Sequence, residues 1–113
     1  MQISIEQLMV KVYVGVHEAE QRKLRSISVD IRFDYEPGGV DDVSAAVDYE
    51  DIQKRVLEAT DKKRFRLIET LAKTILEAVK RDSRISSVAI AVHKPGALHG
   101  ARSVSVSAEW RRA

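Results

Sequence analysis

A lysine stands where an apolar stretch of the chain runs into a turn. The stretch reads Val92-His93-Lys94-Pro95-Gly96-Ala97-Leu98. Proline disfavours the helical region at the preceding residue, so Lys94 should be extended, and Pro-Gly then turns the chain. A cation held at the end of a strand is suited to proton transfer. The same residues are also an ordinary way to leave a strand, so Lys94 alone does not identify a site.

Three other polar side chains have the types that a site needs. Glu69 falls near the start of a helical pattern, where it is either a surface carboxylate stabilised by the helix dipole or a fixed anion. In the second case its two oxygens can accept parallel N–H bonds from a flat heterocycle. Glu20 lies in the loop Gly15-Val16-His17-Glu18-Ala19-Glu20, and such loops are usually just solvated. Tyr49 follows a helix cap and would ordinarily be half-buried.

Composition limits the classes of protein that fit. The 113 residues are 44% hydrophobic and 32% charged, which predicts one globular domain over residues 1–113. The formal charge of +2 comes from 19 basic and 17 acidic side chains, so we expect no nucleic-acid partner. There is no cysteine, no leader-like segment and no apolar run of roughly 18 residues, which predicts a soluble cytoplasmic protein without a membrane partner.

Metal and phosphate sites are not indicated. The three histidines, His17, His93 and His99, are scattered and lack paired metal-ligand spacing, and no phosphate-cradling glycine loop is present. The sequence therefore predicts neither a metal nor a cofactor.

The periodicity of apolar residues predicts four strands and two helices, in the order ββααββ. The first strand changes its apolar parity at Glu6-Gln7, which predicts a bulge there. Asp48 is the expected N-cap of the first helix, and Asp82-Ser83-Arg84 is the expected end of the second. The residues that define the six elements are Ile3 to Val14, Ile27 to Tyr35, Ile52 to Ala59, Leu67 to Val79, Val88 to Val92 and Val104 to Trp110.

This order predicts an α+β fold, with an antiparallel sheet and both helices packed on one face. The strands are about ten residues long, and no internal proline blunts their edges. Long apolar edges invite pairing with other chains, whereas closure of several subunits into a shared barrel removes them. We therefore expect a homo-oligomer.

Taken together, five motifs resemble the dihydroneopterin aldolase family over nearly the whole chain. Each motif is weak alone, but their order and spacing are specific. The resemblance implies the tunnelling fold (T-fold), whose ββααββ subunits assemble into multi-subunit barrels, commonly tetramers stacked into octamers. The motifs are Ile5-Glu6-Gln7-Leu8, Gly15-Val16-His17-Glu18-Ala19-Glu20, Val47-Asp48-Tyr49, Arg64-Phe65-Arg66-Leu67-Ile68-Glu69 and His93-Lys94-Pro95-Gly96-Ala97-Leu98.

The resemblance also implies a reaction, the retro-aldol cleavage of 7,8-dihydroneopterin in folate biosynthesis. The products would be 6-hydroxymethyl-7,8-dihydropterin and glycolaldehyde. The N5=C6 imine of the pterin would accept the electrons of the broken bond, so the family needs no metal, no cofactor and no Schiff base on lysine.

Residue roles follow from the same resemblance. Glu69, with Ile68 beside it, matches the anchor of the pterin 2-amino group and N3. Lys94 matches the catalytic lysine that moves protons at the side-chain hydroxyl and N5. Glu20 matches the carboxylate that contacts the tail hydroxyls. Tyr49 matches a catalytic tyrosine from a neighbouring subunit, with Val47 as backbone support, so sites would lie between subunits.

Two alternatives stay open. Ser103-Val104-Ser105-Val106-Ser107 and Trp110 look more like the sister dihydroneopterin triphosphate 2′-epimerases, which share the first half of the reaction. In that case the basic residues Arg22, Lys23 or Arg25 should matter for the triphosphate. The other alternative is a pterin-binding ring protein without catalysis, which would need Glu69 but not Lys94.

Overall fold

The computed structural model describes residues 1–39 and 41–113, and its elements follow the predicted order. Two single 3₁₀ turns, Glu20–Arg22 and Val43–Ala45, lie in the connections. The ββααββ order and the α+β class are confirmed, with one short strand added. The elements are β1 (Gln2–Val14), β2 (Arg25–Asp34), α1 (Tyr49–Thr60), β3 (Arg64–Phe65), α2 (Ile68–Lys80), β4 (Ser87–Pro95) and β5 (Ser103–Arg111).

The five strands form one sheet in the order β3-β1-β2-β4-β5. The pairs β1-β2, β2-β4 and β4-β5 are antiparallel, as the sequence predicts. Strand β5 lies at one end of this order, so its outer edge has no neighbour within the described chain. Within that same part of the chain, no helix is long and apolar enough to cross a membrane.

The predicted bulge in β1 is confirmed. Ile5 pairs with Ile31 and Leu8 pairs with Val29, so β1 contains an extra residue relative to β2. Gln7 has a positive φ of 54°, and its N–H donates to a carboxylate oxygen of Asp30 at 2.9 Å instead of to the ladder. The bulge returns the apolar residues after it to the face that the helices cover.

The core lies between one face of the sheet and the two helices. Alternate residues of β2 are buried, and Ile27, Ile31 and Phe33 have no exposed surface. Asp48 caps α1 as predicted, because its side chain accepts from the N–H of Glu50 at 2.9 Å. The apolar stripe of α2, which includes Leu71, lies in the same core.

The short strand β3 was not predicted. The basic run Lys62-Lys63-Arg64 separates the two helical patterns in the sequence, but Tyr13 pairs with Arg64 and Val14 with Phe65 in parallel. Two backbone pairings are too few to leave a periodic signal in the sequence. Their effect is to bring the start of α2 beside the end of β1, since α2 begins three residues after Phe65.

Candidate active site

A pocket of about 220 Å³ opens where β1 and β4 end and α2 begins. Glu20, Glu69 and Lys94 all line it, together with Ile68 and the exposed apolar side chain of Leu67. Four residues that the sequence analysis assigns to a site are therefore brought to one place from three separate elements.

Lys94 and Glu20 are paired inside this pocket. The Lys94 ammonium donates to Glu20 Oε2 at 2.5 Å, and the two side chains are only 11% and 18% exposed. The hydrogen bond from Lys94 lowers the pKa of the Glu20 carboxyl, against the opposing effect of partial burial, and a bond from the His17 N–H acts in the same direction as Lys94. The pair gives the pocket a proton donor in direct contact with an acceptor.

Gly15 allows this arrangement because the Glu20 carboxylate packs directly on its Cα. Its φ of 146° lies in the range that favours glycine, and a Cβ at this position would overlap the carboxylate. The loop is also tied to β3, since Gln21 Nε2 donates to the carbonyls of Gly15 at 2.7 Å and Phe65 at 2.9 Å. The backbone around Glu20 is thus held from two sides.

Glu69 is the second residue of α2 and is exposed at the mouth of the pocket. The N-cap of this helix is Leu67, which makes no side-chain hydrogen bond to the helix. The Glu69 carboxylate is therefore the acidic group that complements the positive end of α2. This position fits a surface carboxylate stabilised by the helix dipole and equally a fixed anion that binds a heterocycle, because the Glu69 carboxylate lies both at the helix start and beside the pocket.

Val47 and Tyr49 do not line this pocket within the described chain. Val47 is buried in the core at 3% exposure, and Tyr49 is 61% exposed on the first turn of α1. The expectation that Tyr49 acts from a neighbouring subunit therefore stays a prediction.

Arg66 is a lining residue that the sequence analysis did not single out. Of the basic residues named there for a triphosphate, Arg22 is bonded to Glu18 and none of the three lines the pocket. Arg66 directly precedes the N-cap of α2. Its place in the same motif as Glu69 could have indicated from the sequence that it lies near the site.

His93 is also held by specific contacts, on the sheet face opposite Lys94. Its Nε2 lies 2.8 Å from Asp30 Oδ2 on β2, and its Nδ1 lies 2.6 Å from Ser105 Oγ on β5. Alternation along a strand places neighbouring side chains on opposite faces, so this separation was readable from the sequence. Across the described residues, no three histidine, cysteine or carboxylate groups gather as a metal site requires.

A larger groove of about 410 Å³ crosses that polar face, lined by residues such as Glu6, Arg32 and Glu109. It contains none of the residues that the sequence analysis assigned to a site. We place the candidate active site in the smaller pocket because a paired acid and base converge there, and a groove's size alone supplies no chemistry.

Comparison with known proteins agrees with this fold. The family model described as "FolB: Dihydroneopterin aldolase" matches residues 3–109. A dihydroneopterin aldolase of Methylorubrum extorquens is 37% identical over 84% of this chain and 76% of its own length. A dihydroneopterin triphosphate 2′-epimerase of Escherichia coli is 24% identical over 97% of this chain and 94% of its own.

A solved structure extends the comparison to three dimensions. The crystal structure of Escherichia coli dihydroneopterin aldolase in complex with neopterin superposes with a TM-score of 0.91 at 30% identity. The match covers 97% of this chain and 98% of that one. The tunnelling fold expected from the resemblance is thereby confirmed.

Proposed function

This chain belongs to the dihydroneopterin aldolase family, and on that premise we propose that it cleaves 7,8-dihydroneopterin by a retro-aldol reaction. The convergence of Glu69, Glu20 and Lys94 on one pocket carries the proposal. A pterin offers two parallel N–H donors at one end and a hydroxylated tail at the other. The pocket offers a carboxylate at its mouth and an acid–base pair inside it.

Glu69 anchors the substrate by accepting N–H bonds from the 2-amino group and N3 of the pterin. Charge-assisted pairs of this kind are directional, so the ring is fixed in orientation as well as in place. Ile68 packs beside it at the start of α2. The tail then extends toward Lys94 and Glu20 at the end of β4 and in the loop after β1.

Cleavage breaks the bond between C1′ and C2′ of the tail. The C2′ hydroxyl loses its proton and becomes the carbonyl of glycolaldehyde, while the electron pair of the broken bond moves through C6 to N5, which gains a proton. Protonation of C1′ and loss of the N5 proton then give 6-hydroxymethyl-7,8-dihydropterin, so no net proton is consumed. Lys94 carries these protons, with Glu20 as its immediate acceptor and as a partner of the tail hydroxyls.

Tyr49 completes the site from a second copy of the chain, with Val47 supporting its backbone. A site shared in this way requires a homo-oligomeric ring, either a tetramer or an octamer, in which the outer edge of β5 pairs with another subunit. We place the activity in tetrahydrofolate biosynthesis in the cytoplasm, with no metal, cofactor, nucleic acid or membrane as partner.

The second candidate is 2′-epimerisation of dihydroneopterin triphosphate. Arg66 in the pocket wall favours it, because a guanidinium that lines the pocket can bind the phosphates of the longer substrate. The two reactions diverge only after the bond is broken, when glycolaldehyde either leaves or recombines with the opposite face.

One experiment separates the candidates. Purified protein is incubated with 7,8-dihydroneopterin and, separately, with its triphosphate, and the products are resolved by chromatography. We expect 6-hydroxymethyl-7,8-dihydropterin from the unphosphorylated substrate, whereas dihydromonapterin triphosphate would identify an epimerase. Lys94→Ala should abolish either product. Lys73→Ala is the matched control, since Lys73 is exposed on α2 and does not line the pocket. If neither substrate gives a product, the interpretation that remains is a pterin-binding ring without catalysis.

A further inference from the structure

Asp82 is a buried carboxylate that the proposed reaction does not use. It is 7% exposed, just beyond the end of α2. Its Oδ1 accepts from the Arg84 N–H at 3.0 Å and from Arg84 Nε at 3.1 Å, while Oδ2 accepts from Nη2 at 2.9 Å. These bonds lower the pKa of Asp82 and fix the plane of the Arg84 guanidinium.

The remaining terminal nitrogen of Arg84 reaches a distant part of the chain. Nη1 donates to the carbonyl of Ala46 at 2.9 Å, across 38 positions of sequence. Ala46 immediately precedes Val47, Asp48 and Tyr49, where α1 begins. The hydrogen bond to Asp82 raises the pKa of Arg84 most strongly, against the opposing effect of burial, and Tyr35 and then Asp51 in the first turn of α1 add smaller increases.

We propose that Arg84, locked by Asp82, is a positioning residue that sets the place of Tyr49 relative to the rest of the subunit. The inference rests on the proposed function, in which Tyr49 acts on substrate held by another copy. Tyr49 is itself exposed, so its place depends on the backbone that carries it. Val47 anchors that backbone in the core, and the Arg84–Ala46 bond fixes it from outside.

Displacement of a catalytic group by about 1 Å can lower turnover by roughly 10²-fold. A variant in which Tyr49 is displaced should therefore have a lower kcat. Binding of the pterin ring should not change, because Glu69 and Ile68 line a pocket to which neither Arg84 nor Ala46 contributes within the described chain.

Arg84→Lys tests the inference without leaving Asp82 unpaired. Lysine keeps the positive charge but cannot hold the carboxylate at two points and donate to the Ala46 carbonyl at the same time. We expect kcat to fall about tenfold, with pterin affinity unchanged within about twofold. Arg81→Lys is the matched control, because Arg81 is exposed at the end of the same helix, and it should behave as wild type.

A double-mutant cycle shows whether Arg84 acts through Tyr49. In a Tyr49→Phe background, Arg84→Lys should cause no further loss of kcat. Additive losses, or a loss confined to pterin affinity, would overturn the inference while leaving the aldolase proposal in place. A wild-type protein that cleaves neither substrate would instead refute the proposed function.

Amide hydrogen exchange gives a readout that does not depend on turnover. The backbone of residues 46–50 should exchange faster in Arg84→Lys than in wild type or in Arg81→Lys. Equal exchange rates in the three proteins would show that the Arg84–Ala46 hydrogen bond does not restrain this backbone, which would overturn the inference.

Discussion

Replacing Gly15 with alanine should damage both stability and the site. At φ 146° a side chain costs about 1–3 kcal/mol in backbone strain. The new Cβ would also overlap the Glu20 carboxylate and displace it from Lys94, and a charge-assisted hydrogen bond of this kind contributes about 1.5–3 kcal/mol. We therefore expect a loss of about 3–5 kcal/mol in the free energy of unfolding.

Gly39→Ala is the control for backbone strain alone. Its φ is 78°, and a Cβ there would meet no atom of the described residues within 4 Å, so the substitution should cost about 1–2 kcal/mol. Thermal unfolding followed by circular dichroism should place the midpoint of Gly15→Ala roughly 8 °C below that of Gly39→Ala. Turnover of 7,8-dihydroneopterin should fall only in Gly15→Ala. Equal midpoints and equal turnover in the two variants would refute the argument that Gly15 makes room for the Glu20 carboxylate.

Three further outcomes are expected. Glu69→Gln should raise the dissociation constant for a pterin about 10²-fold in a fluorescence titration, because one oxygen becomes a donor facing donors, while Glu77→Gln changes nothing. Folding lowers the pKa values of Glu20 and Asp82. The two carboxylates therefore contribute fully to the free energy of unfolding above the pKa of an unfolded carboxyl group, and this contribution is lost as the pH falls through their pKa values in the folded protein. The urea concentration at the unfolding midpoint should therefore decrease as the pH is lowered below about 4, and this decrease should be less steep in Asp82→Asn. Phe33→Ala should cost about 3–5 kcal/mol, since Phe33 is fully buried, and unchanged urea midpoints would contradict its place in the core.

Much of the fold could be predicted because the signals are local. The alternation in β2, the parity change at Glu6-Gln7 and the cap at Asp48 each depend on a few neighbouring residues, and each is confirmed. The resemblance, which the family match confirms, rested on motifs whose order along the chain is also visible without coordinates.

The pairings between distant parts of the chain could not be predicted in the same way. Glu20 and Lys94 are 74 positions apart, and Arg84 and Ala46 are 38 apart. No periodic pattern links such residues, because their contact depends on the order of strands in the sheet and on the two-residue strand β3. The resemblance implies a role for Glu20 at the tail hydroxyls, and only the tertiary structure places its carboxylate against Lys94.

Local signals were enough to predict which residues face the core, where the longer strands and the helices run, and which family the chain resembles, because hydrophobic periodicity and short motifs act over a few residues. The resemblance already assigned Glu20, Glu69 and Lys94 to one substrate, but only the folded chain shows that Glu20 pairs with Lys94 and that Arg66 lines the same pocket. The reason is physical: contacts between distant segments are set by how the sheet and helices pack around a common core, and that packing is a property of the whole chain.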